Sequence, residues 1–283
     1  MAMPAPEHCP PWAHDPNWKS DPRFSRNKPD ILTLPEDRDK LRAAGRLAKA
    51  ILNYAGSLVR EGVTTLEIND KVHSEIVRRG AYPSPWKYQQ FPKSICTSVN
   101  NVMCHGIPDS RPLKSGDIIN IDITIYRSGF HGDCSATYTV GSVDAPGLAL
   151  ISATREALDA ALARLEPGAP FSVIADAVMG VAHRHGFNVS PDMCGHGIGR
   201  EFHSAPIVHH TRTRRAKEMR MVPGMAFTVE PILCQGSTEF VLHPDGWTAV
   251  TVDGGRSAQF EETVLVTEHG VEIVTVDETG TGS

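Results

Sequence analysis

Gly116-Asp117-Ile118-Ile119-Asn120-Ile121-Asp122 recurs in design 108 positions later as Gly224-Met225-Ala226-Phe227-Thr228-Val229-Glu230: a glycine, strand-forming residues, then a carboxylate. Alternate side chains of a strand face opposite ways, so Ile119, Ile121, Ile123 and Ile125 read as a core face and Asn120, Asp122 and Thr124 as a polar one. The turn at Arg127-Ser128-Gly129 sends the chain back, and a symmetric hairpin sets Asp133 roughly opposite Asp122, with Gly132 leaving room beside them. In the second module Thr228 and Glu230 share a face. The strand that follows it puts Gln259, Glu261 and Thr263 on one side and Phe260, Glu262 and Val264 on the other.

The helices repeat as well. Leu41, Ala44, Leu47, Ala48, Ile51, Ala55 and Leu58 fall on one helical face, Gly62 stops that helix, and Thr64 with Glu67 matches a capping box for the next. Gly62, Ile68, Val72, Gly80, Ser84 and Pro85 then recur 106 positions on as Gly168, Ile174, Val178, Gly186, Ser190 and Pro191. Helix pairs alternating with hairpin strands predict an α+β fold of two pseudo-symmetric halves, with antiparallel sheet inside and helices outside. Residues 1–34, rich in proline, read as an extended arm, and residues 35–283 as one domain.

Four acids gathered on one face repel one another and resist desolvation, so Asp122, Asp133, Glu230 and Glu261 need protons or cations. His196, bracketed by Gly195 and Gly197, offers an imidazole beside them. Four carboxylates and one imidazole suit two hard or borderline divalent ions, which points to hydrolysis. The Gly195–Gly199 run lacks the Lys-Ser/Thr of a phosphate loop.

Composition narrows the rest. A net charge of −5 argues against a nucleic-acid-binding surface, and no apolar run approaches a membrane span, so a soluble protein is expected. The six cysteines lack CxxC spacing, which favours a reducing compartment over a disulfide scaffold. The arm has no signal-like apolar stretch, and Glu7, Asp15 and Asp21 weaken an organelle-targeting role.

The motifs His105-Gly106-Ile107-Pro108, Asn120-Ile121-Asp122, His131-Gly132-Asp133, Gly195-His196-Gly197-Ile198-Gly199, Phe202-His203, Thr228-Val229-Glu230-Pro231 and Ser257-Ala258-Gln259-Phe260-Glu261 together resemble type I methionine aminopeptidases. The resemblance implies the pita-bread fold and a dinuclear centre held by Asp122, Asp133, His196, Glu230 and Glu261, with Asp133 and Glu261 bridging. It implies a bridging metal hydroxide as nucleophile, Glu230 handling the water proton, His203 stabilising the oxyanion and His105 contacting the peptide backbone. Tyr88, Phe91, Cys96, Phe202 and Trp247, together with His105 and His203, would surround the first residue, and a small second residue would be preferred. The metal could be cobalt, manganese, iron or zinc. The implied substrate is the N-terminal peptide of nascent proteins, with the ribosome a further candidate partner, no membrane and no specific DNA. A monomer in the cytoplasm is expected, with an organelle as the alternative.

Glu262 stands where that family more often has histidine and should need a hydrogen-bond partner, and Glu201 replaces a glycine. Arg212, Arg214, Arg215, Lys217 and Arg220 read as a solvated loop, and His209 and His210 as surface residues. Proline-directed peptidases share the fold but usually carry an extra N-terminal domain. A catalytically silent scaffold is the rival of another class, and the intact ligand set opposes it.

Overall fold

Ser128 and Gly129 both take positive φ, 52° and 90°, and form the two-residue turn that strand twist favours. They join β4 (Ile118–Arg127) to β5 (Phe130–Thr139) in an unbroken ten-residue hairpin. In the computed structural model, which describes residues 3–5, 8–15, 18 and 29–277, this hairpin is the centre of the first half. β1 (Tyr82–Pro83) and β2 (Cys96–Val99) pair with β4 antiparallel; β3 (Val102–Cys104) follows. Ile119, Ile121, Ile123 and Ile125 are fully buried beneath α1 (Pro35–Ser57) and α2 (Thr65–Arg78), each burial contributing about 2 kcal/mol.

The turn corrects the expected register. A two-residue connection pairs Arg127 with Phe130, so Asp122 lies opposite Ser135 and Asp133 opposite Thr124. The two acids are diagonal neighbours on the polar face. Gly132 also has a different role: a Cβ there would lie 2.5 Å from the Ala44 carbonyl carbon, so the glycine admits α1 and not the site.

The second half repeats the plan with α3 (Ala145–Leu162) and α4 (Ser172–His185). Its strands are β6 (Asn188–Val189), β7 (Gly195–Gly197), β8 (Ser204–Val208), β9 (Ala226–Val229), β10 (Ile232–Cys234), β11 (Phe240–Leu242), β12 (Ala249–Thr251), β13 (Ser257–Gln259), β14 (Glu262–Val266) and β15 (Val271–Ile273). A short helix, α5 (Arg214–Glu218), interrupts them. The expected duplication is visible in backbone angles: Gly62 and Gly168 have φ of 82° and 83°, Gly80 and Gly186 71° and 72°, Gly116 and Gly224 96° and 91°. α2 and α4 have the same length of 14 residues. Leu150, Phe171, Val178, Phe227, Leu233 and Val264 fill the core of this half.

The sheets meet where Ser135 of β5 and Glu261 exchange backbone hydrogen bonds, 3.3 and 3.0 Å long. Asn120 Nδ2 and Thr137 Oγ1 both donate to the Gln259 carbonyl across the same join.

The described part of the arm is not simply extended. Pro11–Ala13 form a 3₁₀ turn, and Trp12 is buried against Tyr88 and Phe202. Pro29 and Ile31 bridge to Ala205 and Met225, and Asp30 accepts both contacts of the Arg200 Nη1 group at 2.8 and 2.9 Å. Pro6, Pro16 and Pro22 of the arm lie outside the described residues. Among the described residues no helix is long and apolar enough to cross a membrane.

Candidate metal centre

Asp122 and Asp133 come from the interior of one hairpin, so strand pairing fixes both. Thr124 Oγ1 donates to Asp133 Oδ1 at 2.7 Å and holds that carboxylate from within the same face. In the other half the acids stand in strand breaks. Glu230 falls between β9 and β10, where Pro231 has no N–H to continue a ladder. Thr228 Oγ1 donates to Glu230 Oε1 at 2.7 Å and Gln259 Nε2 to Oε2 at 3.1 Å. Glu261 falls between β13 and β14 and is held by its bonds to Ser135.

His196 Nε2 lies 3.7 Å from both Asp133 Oδ2 and Glu230 Oε1. Its Nδ1 sits 3.2 Å from the Gly197 carbonyl, an arrangement that turns Nε2 toward the two carboxylates. The flanking glycines are required by close approach: a Cβ on Gly195 would lie 2.4 Å from the Thr228 oxygen, and one on Gly197 1.9 Å from the Ala205 oxygen.

Potential ligand atoms of Asp133, His196 and Glu261 all lie within 4.8 Å of one another. Burial pushes Asp122 up to about 7 against the pull of a hydrogen bond with Asp133. Burial first, then the charge of Asp122, pushes Glu230 up to about 8 against the pull of Thr228 and Gln259. Asp133 and Glu261 are raised well above the carboxylate range by burial and then by neighbouring acids. Four acids that cannot all ionise unaided, beside one imidazole, are a donor set that fits divalent cations.

These groups form the floor of a cavity of about 490 Å³. Every pocket residue expected from the sequence lines it: Tyr88, Phe91, Cys96, His105, Phe202, His203 and Trp247. Phe91 and His105 meet the Trp247 ring edge-on at 5.2 and 5.9 Å, and Tyr88 packs on Phe202 at 4.9 Å. The Tyr88 hydroxyl is hydrogen-bonded to His203 Nδ1 at 3.1 Å. His105 adopts φ of 54°, a left-handed conformation uncommon outside glycine and frequent at sites. Cys96, directly opposite Asp122 in the ladder, has its thiol pushed up by burial and then by Asp122, so it is a neutral, polarizable wall.

Two histidines read as surface residues are not. His210 is 1% exposed, and its Nε2 accepts the Glu230 backbone N–H at 3.0 Å. Burial lowers its pKa to about 4, which keeps the ring neutral and able to accept. His209 lines the cavity with Ile207, one strand period away; that alternation was the available signal. Glu262 has the partners its position demands, Lys49 Nζ at 3.0 Å and the Thr275 hydroxyl, on the side of the sheet away from Glu261.

Two halves presenting buried acids and an imidazole to one cavity define a metallopeptidase. The chain belongs to metallopeptidase family M24, whose model matches residues 39–268. It is 53% identical over 236 residues to the mitochondrial methionine aminopeptidase 1D of Mus musculus, covering 83% of this chain and 70% of that one. It is 51% identical over 241 residues to the chloroplastic methionine aminopeptidase 1B of Arabidopsis thaliana, covering 85% and 65%. The crystal structure of methionine aminopeptidase from Rickettsia prowazekii superimposes with a TM-score of 0.84 at 42% identity, over 88% of this chain and all of that one. The expected pita-bread fold is the one observed.

Proposed function

We propose that this protein is a methionine aminopeptidase that removes the initiator methionine from new polypeptides, with Asp122, Asp133, His196, Glu230 and Glu261 holding two divalent metal ions. The supporting observation is the convergence of acids from both halves with His196 on the floor of a cavity whose walls are aromatic and sulfur-bearing. Such ions supply Lewis-acid polarisation of a carbonyl and a water acidified to react near neutral pH.

The chain's own groups do the rest. Asp133 and Glu261, one from each half, would serve both ions. Glu230, fixed at both oxygens by Thr228 and Gln259, is placed to take the water proton. His203, anchored at Nδ1 by Tyr88, presents Nε2 to the oxygen that gains charge. His105 contacts the substrate backbone from the Trp247 side. A free α-amine fits beside Asp122, which restricts reaction to chain termini. An unbranched thioether suits the soft wall of Tyr88, Phe91, Cys96, Phe202 and Trp247, and a narrow approach favours a small second residue.

Mixed carboxylate and imidazole donors accept manganese, iron, cobalt or zinc, so availability selects among them. The mitochondrial and chloroplastic relatives favour the organellar alternative over the cytoplasmic expectation. Contact with a ribosome through the basic cluster is disfavoured: Arg212 is paired with Asp176 and Arg214 with Glu218. We take the working unit to be a monomer.

The test is cleavage of Met-Ala-Ser before and after chelation. Activity should fall by about a hundredfold or more and return with added divalent metal. Cleavage indifferent to chelation, or absent with every metal tried, overturns the reading; release only from Xaa-Pro peptides would favour a proline-directed peptidase.

A further inference from the structure

The residues nearest the amino terminus supply a second layer to the substrate cavity. Trp12 does not line the cavity, but it packs edge-on against Tyr88 with ring centroids 5.0 Å apart and lies parallel to Phe202 at 6.4 Å. It stacks on His131 at 5.4 Å and 10°, and Trp18 closes over both Trp12, at 4.9 Å, and Tyr88, at 6.0 Å. Two hydrogen bonds fix this packing: Trp12 Nε1 donates to the Ser84 carbonyl at 3.2 Å and Lys87 Nζ to the Ala13 carbonyl at 3.1 Å.

The segment so gripped is a strained one. Lys87, Gln89 and Gln90 all have positive φ, 65°, 44° and 69°, around the residue that makes one cavity wall. The loop's backbone bonds are largely internal, Lys87 N–H to Phe91 and Phe91 N–H to Tyr88 among them. Three left-handed residues in four give a loop that outside contacts must hold in one conformation. Trp12 also packs on Phe202, which itself touches Tyr88, so one indole backs two adjacent residues of the cavity wall.

We infer that Trp12 is a specificity-determining residue: by filling the space behind Tyr88 and Phe202 it sets the width of the pocket that receives the first side chain of the substrate. The inference rests on the aminopeptidase reading for what that side chain is. The arm thus belongs to the pocket. Because Tyr88 also anchors His203, the same packing keeps the pocket wall and the histidine in register.

The test uses the full chain as Trp12→Ala and Trp12→Phe. Two quantities are measured: the ratio of kcat/KM for Met-Ala-Ser to that for Leu-Ala-Ser, and hydrogen exchange of amides 84–91. For Trp12→Ala the ratio should fall by about tenfold, as a widened pocket admits the branched side chain, and exchange should rise by about tenfold. Trp12→Phe should restore most of both. An unchanged ratio with a lowered melting temperature would mean that Trp12 is packing alone, and unchanged exchange at 84–91 would mean that the arm does not hold the wall; either overturns the inference. If the wild-type chain cleaves neither peptide, the activity reading fails by itself, and the exchange comparison, which needs no turnover, still decides whether the arm holds the wall.

Discussion

The two halves share a plan but hold their acids by different means. In the first, Asp122 and Asp133 sit inside unbroken ten-residue strands, where the turn alone dictates their register. In the second, Glu230 and Glu261 occupy gaps between short strands, and their backbone N–H groups leave the local sheet for His210 and for Ser135 of the other half. Continuous pairing positions an acid by backbone geometry, and Glu261 regains such pairing from Ser135 of the other half, whereas Glu230 in its gap is held by side chains. Thr228, Gln259 and His210 are those side chains.

The largest effect should come from removing a charge that both halves need. Asp133→Asn is expected to lower turnover by about a thousandfold or more while leaving the circular dichroism spectrum intact. Near-normal rates would show that the acids do not act together.

Next is the pH response of chelated protein. Asp122 and Glu230 rise in the fold from 3.8 and 4.5 to about 7 and about 8. Between those values the native state keeps protons that the unfolded chain has released. Stability is therefore highest below about pH 4 as far as these groups act, and falls progressively between about pH 4 and 8, by up to about 9 kcal/mol in all. Urea titrations of chelated protein should show this decline, and saturation with metal should remove it. A flat profile would mean that the acids are not forced together.

The supports separate the halves more finely. Thr228→Val and His210→Ala should each weaken metal binding by about 10- to 100-fold. Thr124→Val should cost less, because β4–β5 pairing still holds Asp133; calorimetric metal titration would rank the three, and equal losses would erase the contrast. Smallest is a helix cap: α2 has a full capping box at Thr64 and α4 has no side-chain cap. Thr64→Ala should cost about 1 kcal/mol in urea unfolding, and Pro170, its counterpart, has no such bond to lose.

What the sequence disclosed follows the same division. The isoleucine face, the duplicated glycines and the Thr64 cap were legible because period and turn chemistry act locally. The acids and the imidazole on the cavity floor, and the residues of its walls, were legible as motifs. The register of Asp133 was misread because Ser128 and Gly129 alone make the turn, and Gly132 because its crowding comes from a helix almost ninety residues earlier in the chain. His210 and Trp12 were missed for one reason: each acts on residues far away in sequence, through burial that no local pattern records.

Order of synthesis gives the Ser135–Glu261 pairing a further meaning. A chain leaving the ribosome completes residues 118–139 more than a hundred residues before it makes Glu261. Until then it offers two of the acids and an open strand edge at Ser135. The contact that closes that edge also brings in the fourth acid, so the site proposed for cations would be assembled only once the second half has joined the first.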